Sequence, residues 1–174
     1  MSLTVRYGLL AGLGVCCWML LEHAFGFHST RFIAGEYSGY FASLISFAAL
    51  YLMLKKRQQM AIDGQLPLGP SVLAGISASV VAALIVYGFI LLYNQLLNPG
   101  WIDAALEWKV GQWRAQGTSE SVIREQILAF RAVNSPRGLL ISIGAGMPVM
   151  GAIFAYGITL LLRHSAEPRT PSTG

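Results

Sequence analysis

SVLAGISASVVAALIVYGFILLYNQLL, residues 71–97, contains no Asp, Glu, Lys or Arg. A helix needs about 20 consecutive apolar residues to cross the hydrocarbon core of a bilayer, and this stretch exceeds that length. A core helix of a soluble domain would show a polar stripe every three to four residues, and none is present. Hydrocarbon offers no partner to backbone N–H and C=O groups, so a crossing segment of this kind has to be helical. Three further stretches read the same way: residues 7–27, 35–54 and 139–162. None holds a Lys or Arg, and Glu22 and Glu36 are their only acids. The alternating pattern of a membrane barrel strand is absent. The predicted fold is an all-α membrane protein with four transmembrane helices in a single domain, residues 1–174.

Composition agrees. The chain of 174 residues is 55% hydrophobic and 11% charged, against roughly 25% charged in a soluble domain. That excludes a disordered chain, a collagen-like fibre and most soluble enzymes. The adjacent Cys16 and Cys17 cannot frame a disulfide scaffold; small apolar packing is their expected role. Arg6 followed by an apolar run fits the start of a signal peptide. The run is long, however, and ends in Glu22-His23 rather than at a small-residue cleavage site. Val15 before Cys16 also makes a poor lipoprotein box. The segment is therefore retained as a membrane helix.

Orientation follows from where basic residues sit. One side of the membrane receives residues 1–6, 55–68 and 163–174, with Arg6, Lys55, Lys56, Arg57, Arg163 and Arg169 against Asp63 and Glu167. The other receives residues 28–36 and 98–137, where Arg31, Lys109, Arg114, Arg124, Arg131 and Arg137 face five acids. The raw Lys and Arg counts tie. The first side is shorter and carries the Lys55-Lys56-Arg57 triplet against a helix end, so both termini are expected in the cytoplasm. The triplet reads as a topology anchor, with attraction to anionic lipid as the sharper alternative.

Residues 98–137 have the grammar of soluble helices. Asn98-Pro99 resembles an N-cap followed by proline at the first helical position, with Asp103 near the positive helix end. Ile102, Leu106, Val110 and Trp113 recur at helical spacing. Trp101, Ala105 and Trp108 widen that face, opposite Glu107, Gly111 and Arg114. Thr118 is placed to cap a second helix with the stripe Ile123, Ile127 and Phe130, ended by Ser135-Pro136. Two short amphipathic helices on the outer membrane surface account for this pattern. Trp101, Trp108 and Trp113 suit the interface, where an apolar ring and a polar N–H are both satisfied. They form a lid over the helices or, in the sharper reading, a docking surface for a partner.

The spans carry small residues every fourth position: Gly8, Gly12 and Cys16; Gly35, Gly39 and Ser43; Ser71, Gly75, Ser79 and Ala83; Gly144, Pro148 and Ala152, with Gly151 and Ala155 alongside. Such stripes let helix backbones approach closely, within the chain or across an oligomeric seam. Pro148 lacks an amide donor and crowds the carbonyl of Gly144, which predicts a local kink. Ionisable residues at membrane depth are the default functional candidates. Glu22, His23, Glu36 and Asn94, with Gln95 and Asn98, lie near the outer ends of the spans. They form either one polar cluster under the lid, with Arg31 or Arg137 as counter-charge, or a set of interfacial helix anchors. Such a cluster could take a proton, an ion or a small ligand.

Motifs for other chemistry are missing. The chain has no phosphate-binding loop, nucleophile elbow or paired-histidine metal helix. Gly12-Leu13-Gly14 lacks the strand-to-helix setting of a dinucleotide motif. His23 and His28, five apart, would sit about 140° apart on one helix and are poorly placed to share a metal. No cofactor is expected, and the basic residues form no stripe for nucleic acid. Residues 164–174 read as a flexible tail.

Arg6-Tyr7-Gly8 opens the first helix, Glu36-Tyr37-Ser38-Gly39-Tyr40 opens the second, and Lys55-Lys56-Arg57 closes it. Leu68-Gly69, Gly75 and then Asn98-Pro99-Gly100 follow. This layout resembles the bacterial inner-membrane family catalogued as domain of unknown function 4199, over about residues 5–163. Members often carry an acid directly after the Asn-Pro pair, where this chain has Gly100. The resemblance implies four membrane helices with an external insertion, and no established activity, cofactor or catalytic residue. Two function classes stand. One is an accessory or structural membrane subunit that binds lipid or protein partners. The other is a small oligomeric transporter or channel component using the polar cluster and the Pro148 kink.

Overall fold

The computed structural model describes residues 1–62 and 64–165 of the chain. Among them the chain is helical throughout. Its elements are α1 (Leu3–Ala24), α2 (Phe32–Met60), α3 (Leu68–Leu92), a π-helical turn (Tyr93–Leu97), α4 (Trp101–Ala115), α5 (Glu120–Asn134) and α6 (Pro136–His164). Four segments are long and apolar enough to cross a membrane: Leu3–Ala24, Phe32–Met60, Leu68–Leu97 and Pro136–His164. The expected flexible tail lies outside the described residues from position 166 onward.

Side-chain caps start α1 and α6. Ser2 caps α1, its Oγ accepting from the Val5 amide. Ser135 caps α6 in the same way, accepting from Gly138, and Pro136 fills the first helical position, where no amide partner is needed. The expected cap of α4 is corrected. Gly100, not Asn98, precedes that helix. The Asn98 amide closes the π-turn on the Tyr93 carbonyl at 2.9 Å, and its side chain is engaged elsewhere. Ser119, rather than Thr118, precedes α5.

Packing runs in a ring: α3 lies most extensively on α6 and on α1, and α2 touches α1 and α6. Small residues make the tight seams. A Cβ on Gly8 would meet the Ala78 carbonyl at 2.6 Å, and one on Gly75 would meet the Gly151 carbonyl at 2.7 Å. One on Gly151 would collide with Ser79. The stripes on α1 and α3 therefore join helices within the chain; on α6 the contact falls to the neighbouring Gly151 and Ala155, while Gly144 is exposed. The stripe on α2 forms no such seam: Gly39 and Ser43 are exposed, with open space beside Gly39. Lipid supplies no hydrophobic drive between helices, so close packing and hydrogen bonds hold them together, and these backbone contacts help set which helices are neighbours.

One end of the ring is tied by polar contacts. Arg57 Nη2 donates to Thr4 Oγ1 at 3.0 Å, Gln58 Nε2 to the Leu162 carbonyl at 3.0 Å, and Arg163 Nε to the Leu66 carbonyl at 2.7 Å. Above it, Leu50, Met53, Leu54, Ala74, Ile158 and Leu162 form the largest buried apolar cluster. α6 continues as one helix through Pro148.

Candidate functional site

The opposite end of the ring holds a polar network. Glu22, in the last turn of α1, is 6% exposed. Its Oε1 accepts from Trp18 Nε1 at 2.7 Å, one helical turn back, and from Ser38 Oγ on α2. The same Trp18 N–H also reaches the Ser38 carbonyl at 3.1 Å. Glu22 Oε2 lies 3.4 Å from His28 Nε2. A buried carboxylate is retained only where donors surround it, and here three side chains do so.

His28 reaches Glu22 because the chain reverses just after α1. Gly26 adopts φ +75°, a conformation glycine tolerates without strain. Its carbonyl then accepts from the amides of Thr30 and Arg31. The 140° separation of His23 and His28 expected on a continuous helix therefore does not arise. Instead both rings converge on one hydroxyl. Tyr93, fully buried, has its Oη 2.7 Å from His28 Nδ1 and 3.0 Å from His23 Nδ1. Asn98 Nδ2 donates to the same oxygen at 3.3 Å. The π-turn opening at Tyr93 places Asn98 here, and such turns recur at functional sites.

α4 covers this cluster. Trp101 donates its indole N–H to Asn94 Oδ1, and its ring lies 5.0 Å from that of His28. Trp108 stacks on Phe32 of α2 at 5.6 Å. Trp113 is half-buried and makes no ring contact among the described residues. Of the expected cluster members, Glu22 and His23 belong to the network and Asn94 joins it through Trp101. Glu36 does not: it pairs with Lys109 of α4, on the outside of the α2–α4 contact. Arg31 and Arg137 are exposed and pair with no acid among the described residues; His28, and no arginine, stands beside the Glu22 carboxylate. Sequence reasoning missed Trp18, Ser38 and Tyr93. Trp18 and Glu22 are four apart on one helix, a readable signal, whereas Ser38 and Tyr93 arrive only through packing. No group of three or more His, Cys, Asp or Glu suited to a metal occurs among the described residues.

A second feature lies at mid-length of the long helices. A cleft of about 350 Å³ is lined by all four of them: Ala11 and Val15 of α1, Ser43 and Leu50 of α2, Ala78 and Ala82 of α3, and Ile143, Gly146, Met147 and Phe154 of α6. Its lining is almost entirely apolar. Phe47 and Phe154 meet edge to face at 5.4 Å near one end. Ser43, Ser142 and Gly146 are exposed, so the cleft opens on the flank between α2 and α6.

The family described as Protein of unknown function (DUF4199) matches residues 6–164, from the first turns of α1 to the end of α6. The chain is a DUF4199 protein. No curated protein and no solved structure matches it. Membership fixes the extent of the DUF4199 unit, which takes in all six helices and both features above, and assigns neither of them an activity.

Proposed function

We propose that this DUF4199 protein is a non-catalytic, multi-pass protein of the bacterial inner membrane that holds the acyl chain of a membrane lipid between α2 and α6. The cleft carries the reading. It lies at mid-length of the four long apolar helices, it is apolar, and it opens sideways. An apolar space left empty forfeits the dispersion contacts of every atom lining it. Lipid tails are the apolar molecules present at that depth, and they can supply those contacts. The volume falls within the range of small-ligand cavities, about 300–1,000 Å³.

The basic rim of Arg6, Lys55, Lys56, Arg57 and Arg163 supports cytoplasmic termini. Each such residue near an anionic leaflet attracts it by about 1 kcal/mol, which fits an accessory protein seated among lipids. α4 and α5 then lie on the outer face, available to a protein partner. A channel or transporter needs a polar path through the helices. The cleft shares no residue with the Glu22 network, so its geometry favours lipid over ion passage.

The test is reconstitution with a phospholipid bearing a photoactivatable group on its acyl chain, followed by peptide mapping. Labelling is expected to concentrate on residues 42–50 of α2 and 142–154 of α6. Gly146→Phe, at a position where an added Cβ meets nothing, fills the cleft and should cut that labelling several-fold. Even labelling of all lipid-facing helix surfaces, unchanged by the variant, would sink the proposal. Isolation of a stable complex with another protein and no lipid in the cleft would move the function to the outer helices.

A further inference from the structure

We propose that His23, Tyr93 and His28 form a proton relay that carries one proton from the exposed end of α1 to the buried Glu22–His28 pair. The inference is independent of lipid binding and rests on hydrogen-bond arithmetic around a single oxygen. A tyrosine hydroxyl has one proton to donate and two lone pairs. Tyr93 Oη faces two imidazole Nδ1 atoms, at 2.7 and 3.0 Å, and accepts from Asn98 Nδ2 at 3.3 Å. Asn98 Nδ2 also lies 3.5 Å from His23 Nδ1, farther than its 3.3 Å contact with the hydroxyl; with Asn98 committed to the hydroxyl, Tyr93 donates to one ring and the other ring donates to it. The two histidines are therefore forced into opposite roles at Nδ1.

Glu22 decides which role each takes. Its carboxylate only accepts, so the facing His28 Nε2 carries hydrogen. Neutral His28 then has a bare Nδ1, which takes the Tyr93 proton. His23 must in consequence carry its hydrogen on Nδ1 and leave Nε2 bare. The ring of His23 is exposed, while His28 is 11% exposed and Tyr93 fully buried. A proton from solvent thus enters at His23 Nε2. The His23 Nδ1 proton passes to Tyr93 Oη as Tyr93's own proton passes to His28 Nδ1. The products are neutral His23 protonated at Nε2, an intact tyrosine hydroxyl turned towards His23, and cationic His28 beside the Glu22 carboxylate. One N–H and one O–H bond break, an O–H and an N–H bond form, and one charge has moved inward. Other charged groups on the surrounding elements are otherwise engaged or exposed. Glu36 pairs with Lys109, Asp103 with Arg131, and Arg31 and Glu107 face outward.

Nitrogen NMR of the full-length, histidine-labelled protein in lipid nanodiscs tests this, with exposed His164 at the far end of α6 as internal reference. While both rings are neutral, His23 and His28 are expected as opposite tautomers, and adding acid should switch the tautomer of His23 as the proton arrives at His28. Tyr93→Phe should uncouple them, so that the tautomer of His23 no longer follows the protonation of His28. His23→Gln, at an exposed position that leaves the helices intact, should slow proton exchange between His28 and solvent by about a hundredfold, the lower end of what a positioned proton-transfer group supplies. Identical tautomers in the wild type would overturn the relay. So would unchanged exchange at His28 in His23→Gln, even if Tyr93→Phe failed to fold.

Discussion

Glu22 is a buried acid in the last turn of α1, and its cost is met by Trp18 of α1, Ser38 of α2 and His28 of the turn between them. Removing it takes the carboxylate from beside His28 Nε2 and leaves Trp18 and Ser38 only their second contacts, the carbonyls of Ser38 and Gly35; a buried polar group left unsatisfied costs about 1–3 kcal/mol. Glu22→Ala should therefore lower the thermal midpoint in detergent well below that of Glu22→Gln, which keeps an accepting oxygen. Equal midpoints for the two variants would show that the network does not hold the end of α1. The presence of a meaningful acid at position 22 was legible in the sequence, because an acid in an otherwise uncharged span is conspicuous. Its partners were not. Ser38 is 16 residues away and Tyr93 further still, and a hydroxyl or phenol in an apolar run carries no sign of which neighbour it will meet. His28 was set aside on helical geometry, and Gly26 ends the helix before that geometry applies.

Among the elements, α3 and α6 approach so closely at Gly75 and Gly151 that no larger side chain fits. Gly75→Leu would force overpacking against Gly151 and Ala155, a cost of about 1–3 kcal/mol or more. The expected result is loss of the folded peak in size-exclusion chromatography, while Gly39→Leu, on the open face of α2, keeps the helix packing within the chain. The α4–α5 turn makes a different prediction. Arg114 hydrogen-bonds Glu120 at 2.9 Å and holds that carboxyl below its ordinary range; the same bond, with the charge beside it, raises the Arg114 guanidinium. A carboxyl with a lowered folded-state pKa adds stability above its unfolded value and loses it as pH falls through the folded one. Amide exchange in residues 116–119 should thus quicken on acidification beyond the ordinary acid catalysis or suppression of that exchange. Arg114→Gln should remove this extra pH dependence. Because the pair is exposed, the effect is small and should weaken in salt. Spacing made these helices readable, whereas their first residues were not, since Asn98 and Thr118 are good caps that the tertiary structure uses otherwise or passes over.

For the whole molecule, the sequence by itself determined the number of membrane helices, their approximate limits and the amphipathic insertion. Those properties follow from the solvent: hydrocarbon admits only long apolar helices, and charge has to collect between them. It also supplied the small-residue stripes without saying which helix each would meet. That was decided by the tertiary structure, which spends the α1 and α3 stripes on internal seams, meets α3 with Gly151 and Ala155 of α6, and leaves an apolar cleft open between α2 and α6. The same folding brings Glu22, His28, Tyr93 and His23 to one point and sends Glu36 to Lys109. Period and composition report how a residue sits relative to its own helix axis. Which side chains share a hydrogen bond depends on the rotation and depth of several helices at once, and only their packing fixes that.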